Sequence, residues 1–154
     1  MKRVLALLGC LIFTSPIFAG TPQLKPQHEY KKDSQQLCSE EWTKRGALDL
    51  KMYNHCMRGQ DRGYDRVKEI HVYADQQFYT ETAYPYCVKQ WSKRGTVDIR
   101  MLASCLEKEV EGFKDVIYYR ENYDENQVND LVKRALSKYG SWNSVAYRLK
   151  KEFR

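Results

Sequence analysis

Apolar positions along this chain fall into two regimes. Val4 to Phe13 form an almost continuous apolar run behind the cations Lys2 and Arg3, and no later stretch is as long. Further on, apolar and aromatic residues are spaced among charged ones, and that spacing repeats. CSEEWTKRGALDLKMYNHC, Cys38 to Cys56, returns forty-nine residues later as CVKQWSKRGTVDIRMLASC, Cys87 to Cys105, without a gap. A third copy without cysteines places Val132, Leu136, Ser137, Lys138, Gly140, Asn143 and Lys150 at the positions of Cys38, Trp42, Thr43, Lys44, Gly46, Asp49 and Cys56. A period of this length points to stacked pairs of helices.

Each copy carries the signals for a helix end followed at once by a helix start. Lys44-Arg45, Lys93-Arg94 and Lys138 are predicted to lie in a last helical turn, where cations suit the negative end of the dipole. Gly46, Gly95 and Gly140 follow as residues able to take the left-handed conformation that closes a helix. Asp49, Asp98 and Asn143 then stand as N-caps of the next helix, flanked by the apolar pairs Leu48/Tyr53, Val97/Leu102 and Trp142/Tyr147 of a hydrophobic staple.

Residues equidistant from the turn of an antiparallel hairpin face each other. The midpoints of 38 and 56 and of 87 and 105 both fall in the predicted turns, so the pattern favours Cys38–Cys56 and Cys87–Cys105. Each bridge would close a loop of about 18 residues, for which chain entropy gives about 3 kcal/mol. The same mirror pairs Trp42 with Met52 and Trp91 with Met101. In the third copy these shrink together to Leu136 and Ala146, and Val132 faces Lys150.

The expected fold is therefore all-α: three stacked, disulfide-stapled antiparallel helical hairpins, two with a disulfide and the third without. The repeats lie near residues 34–78, 83–121 and 128–154 of a single domain spanning 34–154, after a loose lead over 20–33. Gly63-Tyr64 and Gly112-Phe113 recur in the second helices, as marks of either a bend or close packing. Asp75–Tyr86 and Tyr118–Gln127 read as polar, tyrosine-rich connections, with Pro85 ending or redirecting its segment.

Charge and cysteine usage place the chain outside the cytoplasm. Residues 1–19 have the order of a secretory signal peptide, with cleavage expected near Ala19-Gly20. Leu7-Leu8-Gly9-Cys10 has the outline of a lipid-attachment box, yet only six residues separate Arg3 from Cys10, so an ordinary leader cysteine is the reading adopted. Loss of Lys2 and Arg3 lowers the formal charge from +6 to +4 and leaves four cysteines, an even number that suits disulfides in an exported protein. That surplus is too small for nucleic-acid binding, and a mature chain without a transmembrane segment is expected, periplasmic or secreted.

The chain offers little for catalysis. His28, His55 and His71 are scattered, and cysteines held in disulfides cannot serve as ligands, so neither metal nor cofactor is expected. Glu40 and Glu41 become Lys89 and Gln90 in the second copy, while Asp49 and Asp98 are accounted for as caps. The remaining feature is basic: Lys44, Arg45, Lys93, Arg94 and Lys138 would line one edge of the stack as point contacts for an anionic ligand. The C-terminal helix adds Arg148, Lys150, Lys151 and Arg154.

The C-x3-W frame closed by D-x2-M-x3-C loosely resembles small exported bacterial proteins with Cys/Trp/Met helical-hairpin repeats. That resemblance implies a location and a disulfide pattern and transfers no functional residues. The expected function is a non-enzymatic binding or scaffold protein of the bacterial envelope, engaging an anionic polymer or an envelope protein. The alternative is a small secreted inhibitor or toxin-like effector of an envelope enzyme.

Overall fold

A computed structural model describes residues 25–153. The leader, its cleavage site and residues 20–24 of the lead lie outside these residues. Six of the seven α-helices among the described residues form three antiparallel pairs: α1 (Gln27–Trp42) with α2 (Leu50–Tyr73), α4 (Tyr84–Trp91) with α5 (Ile99–Asn122), and α6 (Glu125–Tyr139) with α7 (Trp142–Glu152). A one-turn α3 (Gln76–Phe78) leads into α4. The second helices α2, α5 and α7 pack side by side, and each first helix lies against its own partner. Cys38 and Cys56 are bridged, as are Cys87 and Cys105, each pair with Cα atoms 5.7 Å apart. The mirror pairing read from the repeats is the pairing present.

The turns of the first two copies differ from expectation. Helix α1 ends at Trp42, and a two-stranded ribbon follows, Thr43–Lys44 (β1) against Ala47–Leu48 (β2). The second copy repeats it with Ser92–Lys93 (β3) against Thr96–Val97 (β4). Arg45 (φ 53°) and Gly46 (φ 81°), like Arg94 (φ 55°) and Gly95 (φ 81°), both take positive φ, as the two-residue turn of a tight hairpin requires. Lys44-Arg45 and Lys93-Arg94 thus sit at ribbon tips and do not compensate a helix dipole. Only the third copy makes the predicted glycine stop: Gly140 (φ 66°) closes α6 and donates its N–H to the Leu136 carbonyl.

Asp49 and Asp98 are N-caps as expected, accepting from the Met52 and Met101 amides. In the third copy the cap is Ser141, and Asn143 lies inside α7. With no ribbon to cross, the chain enters α7 directly after Gly140, two residues early. Counted from the cap, the second helices align as Leu50, Ile99 and Trp142 one residue on, and as Gln60, Glu109 and Glu152 eleven residues on.

This register explains how the hairpins stack. At Gly63 an added Cβ would lie 2.7 Å from the Arg100 Cα and 2.9 Å from the Ile99 carbonyl oxygen; at Gly112 it would lie 2.5 Å from the Trp142 carbonyl group. Each glycine therefore receives the first turn of the next copy's second helix, so these positions pack closely. Three residues earlier a buried polar side chain completes the contact. Gln60 donates to the Asp98 carboxylate (3.0 Å) and accepts from the Arg100 amide (3.3 Å). Glu109, only 4% exposed, accepts from Ser141 Oγ (2.6 Å) and from the Trp142 amide (2.7 Å). These contacts satisfy amide groups that a helix start leaves without intrahelical partners.

Two other departures concern the connections. Helix α1 begins at Gln27, inside the expected loose lead, because Tyr30 and Ser34 are buried and Tyr30 shares a 2.5 Å hydroxyl contact with Tyr84. Asp75–Tyr86 is helical from Gln76 onward, passing through a π-helical stretch, Tyr79–Ala83, in which the Tyr84 amide reaches back to the Tyr79 carbonyl. Pro85 lacks an amide hydrogen and crowds the carbonyl four residues before it, and the wider π turn just ahead accommodates this without ending the helix. Phe78 from α3 then stacks on Phe113 (4.0 Å), and both meet the Trp142 ring edge-on.

Candidate anion-binding surface

The five expected edge cations are all exposed but do not form one patch. Helix α5 starts beside Gly63, fourteen residues beyond the α2 cap, and at 1.5 Å per residue the second tip is displaced by about 20 Å along the helix direction. The third hairpin repeats the stagger, since α7 starts beside Gly112. Charges so far apart exceed the screening length of about 8 Å and act separately. Lys44-Arg45 and Lys93-Arg94 are therefore two isolated doublets. Lys44 lies 5.8 Å from the Trp42 ring.

Lys138 has a different setting. It lies in the last turn of α6 and joins Arg134 from the same helix, with Arg148 and Lys151 from α7, around a groove of about 370 Å³. Leu131, Ala135 and Tyr139 form its apolar floor and side, and Glu152 is its one carboxylate. The spacing follows from helix geometry: Arg134 and Lys138 are four residues apart on one helix and Arg148 and Lys151 three apart on the other, so each pair shares a face. Arg134 also contacts Asp130 at 3.1 Å, an exposed pair of small energetic weight. Lys138 and Arg148 lie 5.2 and 5.7 Å from the Tyr139 ring centroid. The hydrogen bond from Lys138, with the nearby Arg148 charge, holds the Tyr139 hydroxyl below its ordinary pKa.

The groove opens at the level where the other hairpins are bridged. Arg148 stands seven residues after its cap, the register held by Cys56 and Cys105. A guanidinium thus replaces half of a disulfide, and the site faces solvent. It suits a multiply charged, oxygen-rich group held by separate cations, with Arg134 and Arg148 able to make bidentate contacts.

The other candidate residues are not gathered into a site. His28 and His55 are exposed, while His71 lies edge-on to Tyr79 at 4.9 Å. Among the described residues no group of three or more His, Cys, Asp or Glu side chains could hold a metal ion, and no helix is long and apolar enough to cross a membrane. A second cleft, about 220 Å³, lies between the second and third hairpins and includes Trp91, Met101 and Cys105, with Glu109 already bonded to Ser141 and Trp142. Arg134 carries no signal of its own in the sequence, because the groove forms only when α7 brings Arg148 and Lys151 opposite Arg134 and Lys138 of α6. The basic α7 sequence was the available signal for the rest. No protein-family model matches the chain, and comparison with curated proteins and with solved structures finds no significant match.

Proposed function

We propose that this is an exported, non-catalytic binding or scaffold protein whose third hairpin holds an anionic group of an envelope polymer. The observation that carries the reading is the convergence of Arg134, Lys138, Arg148 and Lys151 on one groove beside Tyr139. The leader pattern of residues 1–19 and the two disulfides support an oxidising compartment. The ribbon tips serve as secondary, weaker contacts.

Two variants of the mature chain separate groove from tips. Binding to soluble polyphosphate is measured by titration calorimetry for Arg134→Gln/Lys138→Gln/Arg148→Gln/Lys151→Gln and for Lys44→Gln/Arg45→Gln/Lys93→Gln/Arg94→Gln. The groove variant should lose about tenfold in affinity, equal to about 1.4 kcal/mol, and the tip variant clearly less. Affinity of the parent should fall steeply with salt. Equal losses in the two variants, or none in the groove variant with helical circular dichroism intact, would reject the groove.

A further inference from the structure

Among the described residues the stack has an open end whose apolar surface matches a surface buried elsewhere in the same molecule. In the second copy Thr96, Val97 and Ile99 are buried, Ile99 to 1% exposure. They lie beneath the first copy: Asp33 accepts from the Val97 amide (3.1 Å), Thr96 contacts Gln36, and Gly63 receives the α5 start. The corresponding residues of the first copy are Ala47, Leu48 and Leu50. All are exposed, Leu50 to 65%, and nothing among the described residues covers them.

The two internal interfaces define what such a surface accepts. In both, the incoming helix brings Gln or Glu three residues ahead of a glycine: Gln60 and Gly63 in one, Glu109 and Gly112 in the other. The polar side chain bonds the amides of the receiving helix's first turn, and the glycine lets the two backbones meet. We propose that the first turn of α2, with Leu48 and Leu50, docks a helix of a partner protein carrying that Gln/Glu-x-x-Gly element.

The extent of the docked segment follows from the same alignment. Tyr53 and Met57 keep apolar character where Leu102 and Leu106 are buried, whereas Asn54 and Asp61 replace Ala103 and Val110. Contact therefore covers about two turns of α2 before the surface becomes polar. The cap at the open end is Asp49, which like Asp98 can accept from a Gln amide but repels a carboxylate, so Gln is favoured over Glu in the partner. A second copy of this chain fits less well. Its third hairpin offers Glu152 at the right register, but that carboxylate would face the Asp49 cap, and Arg148 and Lys151 beside it would meet Lys51. The docking face and the anion-binding groove share no residue.

The test uses the mature, oxidised protein and a hydrocarbon-stapled peptide of residues 57–73 as probe, bridged through the exposed positions of Asp65 and Glu69. Fluorescence anisotropy should show saturable binding, weakened at least tenfold by Leu50→Lys in the protein and equally by Gly63→Leu in the peptide. Leu50 is exposed, so the protein variant keeps its fold, checked by circular dichroism. The groove variant should bind the peptide like the parent. Absence of binding, or binding indifferent to both substitutions, would overturn the proposal. Concentration-dependent self-association of the parent abolished by Leu50→Lys would overturn it too, assigning the face to a second copy.

Discussion

Replacing Gly112 by alanine tests the stacking geometry, because two opposed effects of known size meet there. Alanine favours a helix interior over glycine by about 1 kcal/mol, so on propensity alone the change should stabilise α5. The new Cβ, however, would stand 2.5 Å from the Trp142 carbonyl carbon and oxygen and 2.6 Å from the Asn143 nitrogen, all backbone atoms that cannot rotate away. Ordinary contact begins near 3.4 Å, so α5 and the α7 start must part by 0.9 Å, the difference between 3.4 and 2.5 Å. That movement stretches both Glu109 bonds and opens the Phe113–Trp142 contact. Overpacking of this kind costs about 1–3 kcal/mol and the two hydrogen bonds about 1 kcal/mol each, which, less the propensity gained, gives a net destabilisation of about 3 kcal/mol. Gly59 supplies the control. Its added Cβ meets only the flexible Arg100 Cδ at 3.4 Å, so Gly59→Ala should gain close to the full propensity. For a chain of this size Gly112→Ala should lower Tm by about 6–12 °C and Gly59→Ala should raise it by about 2–4 °C, read by calorimetry. If Gly112→Ala is as stable as Gly59→Ala, the close approach that defines the stack is wrong.

Three further outcomes follow from other contacts. Glu109→Ala strands the Ser141 hydroxyl and the Trp142 amide and should cost about 2–3 kcal/mol in urea unfolding, while Glu109→Gln should cost less, since Gln60 fills the same place in the first interface. Cys87→Ala/Cys105→Ala should cost about 3 kcal/mol by loop entropy, and a non-reducing peptide map of the parent should contain no link between the first and second repeats. Burial raises the pKa of Tyr84, Tyr79 and Tyr30 above the value near 10 of an unfolded tyrosine, so the folded state holds these protons more tightly. Their contribution to stability is intact below about pH 10 and is lost as pH rises toward the folded-state values; phenolate absorbance should show Tyr139 ionising early and these three only with unfolding.

Much of the hairpin frame was legible because it is local. The mirror placement of Cys38 and Cys56 about the turn needs only antiparallel helices of equal length, and the Asp49 and Asp98 caps need only the first turn of a helix. The ribbons were not legible because Arg45 and Arg94 take positive φ, which residues with a Cβ seldom do. The clue was the three-residue step from Gly46 to Asp49, too long for a direct helix-to-helix turn, whereas Ser141 follows Gly140 immediately. The stacking contact had a clearer signal. Gln60 and Glu109 precede the repeated Gly-aromatic pair by the same three residues, and a polar residue conserved in position but not in charge fits a hydrogen-bonding role. The groove at Arg134 and Arg148 depends on how α6 and α7 face each other after a two-residue shift of register, which no single segment reveals.

The two kinds of fastening in this molecule act at different places, and the difference bears on where it binds. Disulfides hold the first two hairpins internally, while Gln60, Glu109 and the glycines beside them fasten one hairpin to the next. The third hairpin has only the second kind, with the Phe78–Phe113–Trp142 cluster and a small apolar group around Val128, Val132, Val145 and Leu149. It is also where Arg134, Lys138, Arg148 and Lys151 gather. Mutual repulsion among these exposed cations is screened but unfavourable, and it falls on the hairpin with no covalent bridge. A pair of helices serving only to close the stack would gain from a mixed-charge outer face, as Glu-Lys pairs three and four residues apart stabilise exposed helices. Keeping four cations around a groove with one carboxylate runs against that gain, and an anionic group held there would reverse the sign of the local electrostatics, tying α6 to α7 at the level where the other hairpins use sulfur.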